Sequence, residues 1–204
     1  MIDLSVLEQL NVAGRENRLA NLNAIAGKTG FPERVDRYIN NHIHTTYSFS
    51  PYSPTAAVYA AAAEGLCTAG IIDHDTMAGA HEFLAAAETI QMPVTVGMEC
   101  RVSFADTPFA DRRLNNPDQT GIAYMTVQSV PHGRIDEMTA FFAPFRAHRD
   151  DRNRRMIERI NQTLPEAALD YESDVLPLSM HHENGAVTER HLMFALARKM
   201  VTRY

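Results

Sequence analysis

The sequence predicts a parallel α/β fold with crossover helices, and three observations carry that expectation. Between Ile39 and Glu99 a short strand, a polar tip and a helix follow one another more than twice, the alternation expected of βαβ units. Cys67 to Ile72 is a nearly continuous apolar run, as a strand buried on both faces requires. The polar tips carry His42/His44, Asp73/His74 and Glu99, and right-handed crossovers bring the C-terminal ends of parallel strands to one edge. With 204 residues, 45% hydrophobic and 22% charged, the chain suffices for one well-buried domain.

In chain order, residues 3 to 26 read as helical. Ser5 with Glu8 makes a capping box, and Leu4, Leu7 and Leu10 fall three apart. Gly14 divides this stretch, Leu19, Leu22 and Ile25 form the second stripe, and the turn residues from Gly27 to Pro32 end it. A first strand, Ile39 to His44, sends His42 and His44 to one face by its period of two and Ile43 to the other. This stretch alone fits a pair of metal ligands or two histidines on a solvated strand equally well. Thr45 to Ser50 is a loop, and Ser53 and Pro54 are an N-cap and first residue for a helix running to about Glu64, stopped by Gly65. Cys67 to Ile72 then delivers Asp73-His74-Asp75-Thr76, Gly79 to Ile90 is the next helix, and Val94 to Val96 delivers Gly97-Met98-Glu99. Imidazoles at such an edge suit zinc, iron, manganese or nickel, and a carboxylate able to bridge suits more than one ion.

Bulk properties narrow the function classes. A net charge of -6 argues against a general nucleic-acid-binding surface. Cys67 and Cys100 form no C-x-x-C pair, which suits free thiols in a reducing compartment. No apolar run approaches the ~20 residues of a membrane span, and no secretory signal opens the chain; the reading is cytoplasmic.

The pieces H-I-H-T-T-Y-S at 42 to 48, I-I-D-H-D-T at 71 to 76 and V-G-M-E at 96 to 99 resemble the polymerase-and-histidinol-phosphatase (PHP) superfamily, clearly over residues 38 to 104. T-E-R-H-L-M-F-A-L at 188 to 196 is similar to the R-P-H-I-A-R-A-L element of its small-phosphoesterase branch, with Arg190 in place of Pro and Glu189 in place of Arg. The resemblance implies a distorted seven-stranded β/α barrel holding two or three divalent ions (Zn, Mn or Fe) and hydrolysing phosphoesters. It makes His42 and His44 ligands of one ion, Glu99 a bridge between two and His74 a ligand of another. Asp73 would orient His74 or ligate, and Asp75 could do either. His191 and Arg190 are candidates to bind substrate. Neighbouring ions would bring a bound water's pKa toward ~7 for in-line attack on phosphorus, with no protein nucleophile. Phe49 and Ser50 stand where relatives often supply a third ion's ligand.

Beyond Glu99, His132 is the candidate for a later ligand, His148 reads as solvated, and His181 and His182 follow a possible strand from Val175 to Met180. Arg134 to Leu164 reads as one long helix or two. Its Arg149, Arg152, Arg154 and Arg155 could receive a phosphate, though i,i+4 pairs with Asp150, Asp151 and Glu158 on a solvated face are the commoner arrangement. Thr188 caps a last helix, Glu189 to Met200. The expected organisation is a single PHP-like domain over 1–204: N-terminal helices at 1–37, barrel strands and crossover helices at 38–133, and a mostly helical, lid-like insertion at 134–204. No Asp-x-His occurs, so the barrel is expected to be incomplete, truncated at its C-terminus. The expected function is a metal-dependent phosphoesterase for a small phosphorylated metabolite, with Glu99, His42 and His44 catalytic. The alternatives are a polymerase-associated domain acting on nucleic acid and a catalytically incomplete binding fragment.

Overall fold

The structure, a computed structural model, describes residues 2–28, 30–116 and 119–203. Two short helices, α1 (Leu4–Leu10) and α2 (Arg15–Ala26), precede β1 (Val35–Ile43), α3 (Pro54–Ala63), β2 (Leu66–His74), α4 (Ala80–Thr89), β3 (Val94–Ser103) and β4 (Ile122–Val127). The long α5 (Ile135–Thr163) and α6 (Glu189–Arg203) follow, separated by short helical turns. The strands form one sheet in the order β1-β2-β3-β4. Its first two pairings are parallel and the last antiparallel, and the sheet curls as half of a barrel does.

The parallel part follows from the sequence pattern. α3 is alanine-rich and almost entirely buried, and small side chains let it lie close against β2. Its start is set by Ser53, whose hydroxyl accepts from the Ala56 N–H at 3.0 Å and donates to the Leu10 carbonyl at 2.6 Å. Ser53→Ala removes this cap and strands a buried carbonyl, so the urea midpoint is expected to fall by an amount equivalent to ~1–2 kcal/mol.

Three expectations need correction. α1 is capped by Asp3, whose carboxylate accepts from the Ser5 N–H at 2.9 Å, so Ser5 is inside the helix and the capping box does not form. β3 extends well past Val96, because β4 pairs with Met98 to Ser103, and Glu99 therefore lies within a strand. The approach of β4 is close: a Cβ on Gly97 would sit 2.1 Å from the Val127 carbonyl oxygen. Val175 to Met180 is no strand, since a π turn at Tyr171–Val175 runs into a 3-10 turn at Leu176–Leu178, seeded by the Asp170 side chain accepting from the Ser173 N–H.

Two hydrophobic clusters result. One joins the sheet to α1 through α4 and includes Leu10, Leu22, Phe83, Met98 and Ile135. The other, with Ile157, Tyr171, Val175 and Leu192, lies within the helical second half. Polar contacts join this half to the loops after β1 and β2: Ala186 N–H to the Tyr47 carbonyl at 2.8 Å, Tyr47 hydroxyl to Glu183 at 2.6 Å and Thr76 hydroxyl to the Asn184 carbonyl at 2.7 Å. Among the described residues no helix is long and apolar enough to cross a membrane.

Candidate metal centre

Three imidazoles from two adjacent strand ends face one carboxylate oxygen. His42 lies in β1, His44 just past its end, and His74 at the end of β2, where the ladder pairs it with Glu99 of β3. Glu99 Oε2 is 3.2 Å from His42 Nε2, 3.5 Å from His44 Nε2 and 3.7 Å from His74 Nδ1. His42, His44 and Glu99 each offer an atom within 4.8 Å of the others. The rings pack to suit: His44 stacks on His74 with centroids 4.6 Å apart, and His42 meets His44 edge-on at 5.1 Å.

The electrostatics favour neutral imidazoles at His74 and His44. Burial pushes His74 down to about 3, helped by the charges of His44 and Arg149, and burial likewise lowers His44. A neutral imidazole presents the lone pair a cation needs. His74 Nδ1 is buried and has no hydrogen-bond partner, a costly arrangement for a polar atom unless something else satisfies it. Orphaned nitrogen, two further histidines and a shared carboxylate are a donor set that fits zinc, iron or manganese.

Asp73 has a different task from the one expected of it. It is fully buried, and its carboxylate accepts from the Thr45 N–H at 2.6 Å, the Thr45 hydroxyl at 2.5 Å and the Ser48 hydroxyl at 2.5 Å. Burial raises its pKa, and these hydrogen bonds oppose the rise. Ser48 Oγ in turn lies 3.4 Å from His44 Nδ1. Asp73 thus fixes the turn that carries His44 and, among the described residues, makes no hydrogen bond to His74. Asp75 is turned away as well: its N–H donates to the Glu99 carbonyl at 2.8 Å and its carboxylate accepts from Arg149 Nε.

The arginines divide between the interior and a solvated face, where Arg154 and Arg155 lie exposed and Arg154 pairs with Asp151. Arg149 is 6% exposed and pairs with Asp75 and Glu189, Arg152 also reaches Glu189, and Arg154 reaches Glu172. A cavity of about 500 Å³ lies against the imidazoles, with Tyr124, Arg149 and Arg190 in its wall. Arg190 makes no ion pair among the described residues, yet its charge acts to lower the pKa of both His44 and His74.

The other sequence candidates lie elsewhere. His132 is in an exposed turn beside Val94 to Val96, at the start of β3, because Val130 joins the ladder there through Val96. His148 lines a recess with Asp75 and Arg149, His181 pairs with Asp150 at 3.1 Å, and His182 is near Glu183 at 3.5 Å. His191 is buried, its Nδ1 accepting from the Thr188 N–H at 2.9 Å while Phe49 meets its ring edge-on at 4.7 Å. It completes a reciprocal cap of α6 instead of facing the imidazole cavity.

Burial also holds His191 down to about 4. The unfolded chain takes up this proton near pH 6.5 and the folded one only below about 4, so stability falls as the pH drops through that window. Urea titrations should show a loss of on the order of 1.4 kcal/mol per pH unit from this residue, and His191→Gln should flatten that slope.

Tyr124, Ser48 and Glu189 were not among the sequence candidates. Tyr124 lies on the short β4, separated from its partner β3 by a long loop, and Ser48 carries no signal beyond a hydroxyl-rich loop.

A family model described as the PHP domain matches residues 40–191. No curated protein matches the chain. Among solved structures, a proposed metal-dependent phosphoesterase from Bifidobacterium adolescentis is 26% identical with a TM-score of 0.62, aligning over 84% of this chain and 52% of its own. An amidohydrolase from Chromobacterium violaceum, with bound sulfate and no metal, is 20% identical with a TM-score of 0.57, aligning over 81% of this chain and 50% of its own. The chain thus spans about half the length of either structure.

Proposed function

Because the chain belongs to the PHP domain family, we propose that it serves metal-dependent hydrolysis of a phosphoester on a small phosphorylated metabolite. The observation that carries this reading is the meeting of three imidazole nitrogens on Glu99 Oε2, one of them buried without a partner. His42, His44 and Glu99 would hold one divalent ion, with His74 and Glu99 serving a second. Such ions acidify water and neutralise phosphoryl oxygens.

The chain's own residues do the rest. Asp73 and Ser48 hold the His44 turn in place. Arg190, on the cavity wall, suits a phosphate oxygen of the substrate. The segment from residue 134 onward serves as a lid, supported by its contacts to Tyr47, Thr76 and Asp75. The free thiols Cys67 and Cys100 accord with a reducing cytoplasm. A net charge of -6 favours a small substrate over nucleic acid.

The test is turnover after reconstitution with manganese, zinc or iron. Hydrolysis of small monoesters but not of DNA ends is expected, and Arg190→Ala should raise KM by about tenfold or more, as loss of a charged phosphate contact does. Cleavage confined to DNA ends would favour the polymerase-associated reading. No turnover with any ion would leave the chain a binding fragment.

A further inference from the structure

Arg101 from β3 and Arg149 and Arg152 from α5 converge on one carboxylate. Glu189 Oε1 accepts from Arg152 and lies 3.6 Å from Arg101 Nη1, while Oε2 lies 3.3 Å from Arg149 Nη1. Asp75 also pairs with Arg149, so two carboxylates face three guanidiniums, and with Glu189 withdrawn one carboxylate would face three. Independently of that count, Arg152 Nε is buried and has no hydrogen-bond partner. A buried cationic donor left without an acceptor costs more than a neutral one. A recess of about 370 Å³, with Arg101, His148, Arg149 and Arg152 in its wall, adjoins the cluster, and Arg149 lines the imidazole cavity as well.

Glu189 is the first residue of α6, and its side chain is 36% exposed. A carboxylate at that position can leave the arginines and remain favourably placed over the positive end of the helix. Guanidinium forks fit phosphate oxygens as they fit a carboxylate, and a tetrahedral anion offers more acceptor oxygens for three guanidiniums than the two of one carboxylate.

We propose that Arg101, Arg149 and Arg152 form a binding site for a phosphate-type oxyanion beside the metal centre, and that Glu189 occupies it as an internal counter-ion until the anion arrives. The site is distinct from the metal ligands, and its test needs no metal.

Inorganic phosphate is titrated calorimetrically into the chelator-treated chain, in which no ion can hold phosphate. The Glu189→Gln variant is expected to bind phosphate about tenfold tighter than the parent, since one charged competitor is gone. Adding Arg152→Ala to that variant should abolish the gain. Arg101→Ala, with Glu189 in place, should weaken binding by the parent sequence, read as a smaller phosphate-dependent rise in Tm. Binding no tighter in Glu189→Gln, or a gain that survives Arg152→Ala, overturns the proposal. Should Glu189→Gln fail to fold, an unchanged phosphate response in Arg101→Ala overturns it alone.

Discussion

Glu99→Ala is expected to cost both metal retention and phosphoester hydrolysis while leaving the sheet intact. The carboxylate is the point on which His42, His44 and His74 converge, whereas the backbone of residue 99 is paired to β2 and β4 whatever its side chain. Among the described residues its one side-chain hydrogen bond is to the half-exposed His42, at 3.2 Å. Structural loss should therefore be small and chemical loss large. Removing even an outer partner of a metal ligand lowers affinity or activity by ~10–100-fold, so losing a shared ligand should exceed that. Zinc titration against a circular-dichroism melt separates the two effects. Unchanged metal affinity with an unchanged melt would remove Glu99 from the centre.

Arg149→Ala should do the reverse, acting first on stability. The Arg149 side chain is 5% exposed and Asp75 8%, so deleting the guanidinium leaves a buried carboxylate unpaired. Breaking such a pair from one side costs about 3–5 kcal/mol, and for a chain of this size that lowers Tm by roughly 10 °C. Burial already pushes Asp75 upward, with Arg149 opposing it, so the orphaned acid should take up a proton more readily. Because Asp75 also holds the Glu99 carbonyl, metal affinity should decline with the melt. The double variant Arg149→Met with Asp75→Asn should recover much of the lost stability, because the uncompensated charge is gone. A melt unchanged in Arg149→Ala would show that the pair does not tie the helical half to the β2 loop.

What could be read from the chain follows from which signals are local. β2 announces itself through its apolar run, and α3 through Ser53-Pro54 and Gly65, all short-range devices. His42, His44, His74 and Glu99 were legible because parallel strands deliver their C-terminal residues to one edge, where the structure brings them together. β4 was not legible: Tyr124, Met125 and Thr126 are at most half-buried, and its partner in β3 lies across a long excursion. The misplaced role of Asp73 had a readable cause. Successive residues of a strand point to opposite faces, so Asp73 could not share the side of its neighbour His74, and Thr45 and Ser48 receive it instead. The Asp75–Arg149 pair spans 74 residues. Periodicity could only register Arg149 as one more charge in a charged run.

The most direct test is metal content by mass spectrometry on the purified chain, alone and with His42→Ala and His44→Ala combined. One or more transition-metal ions per chain, lost in the double variant, is the expected result. Fewer than one ion per chain, unchanged by removing both histidines, would contradict the assignment of this edge as a metal centre.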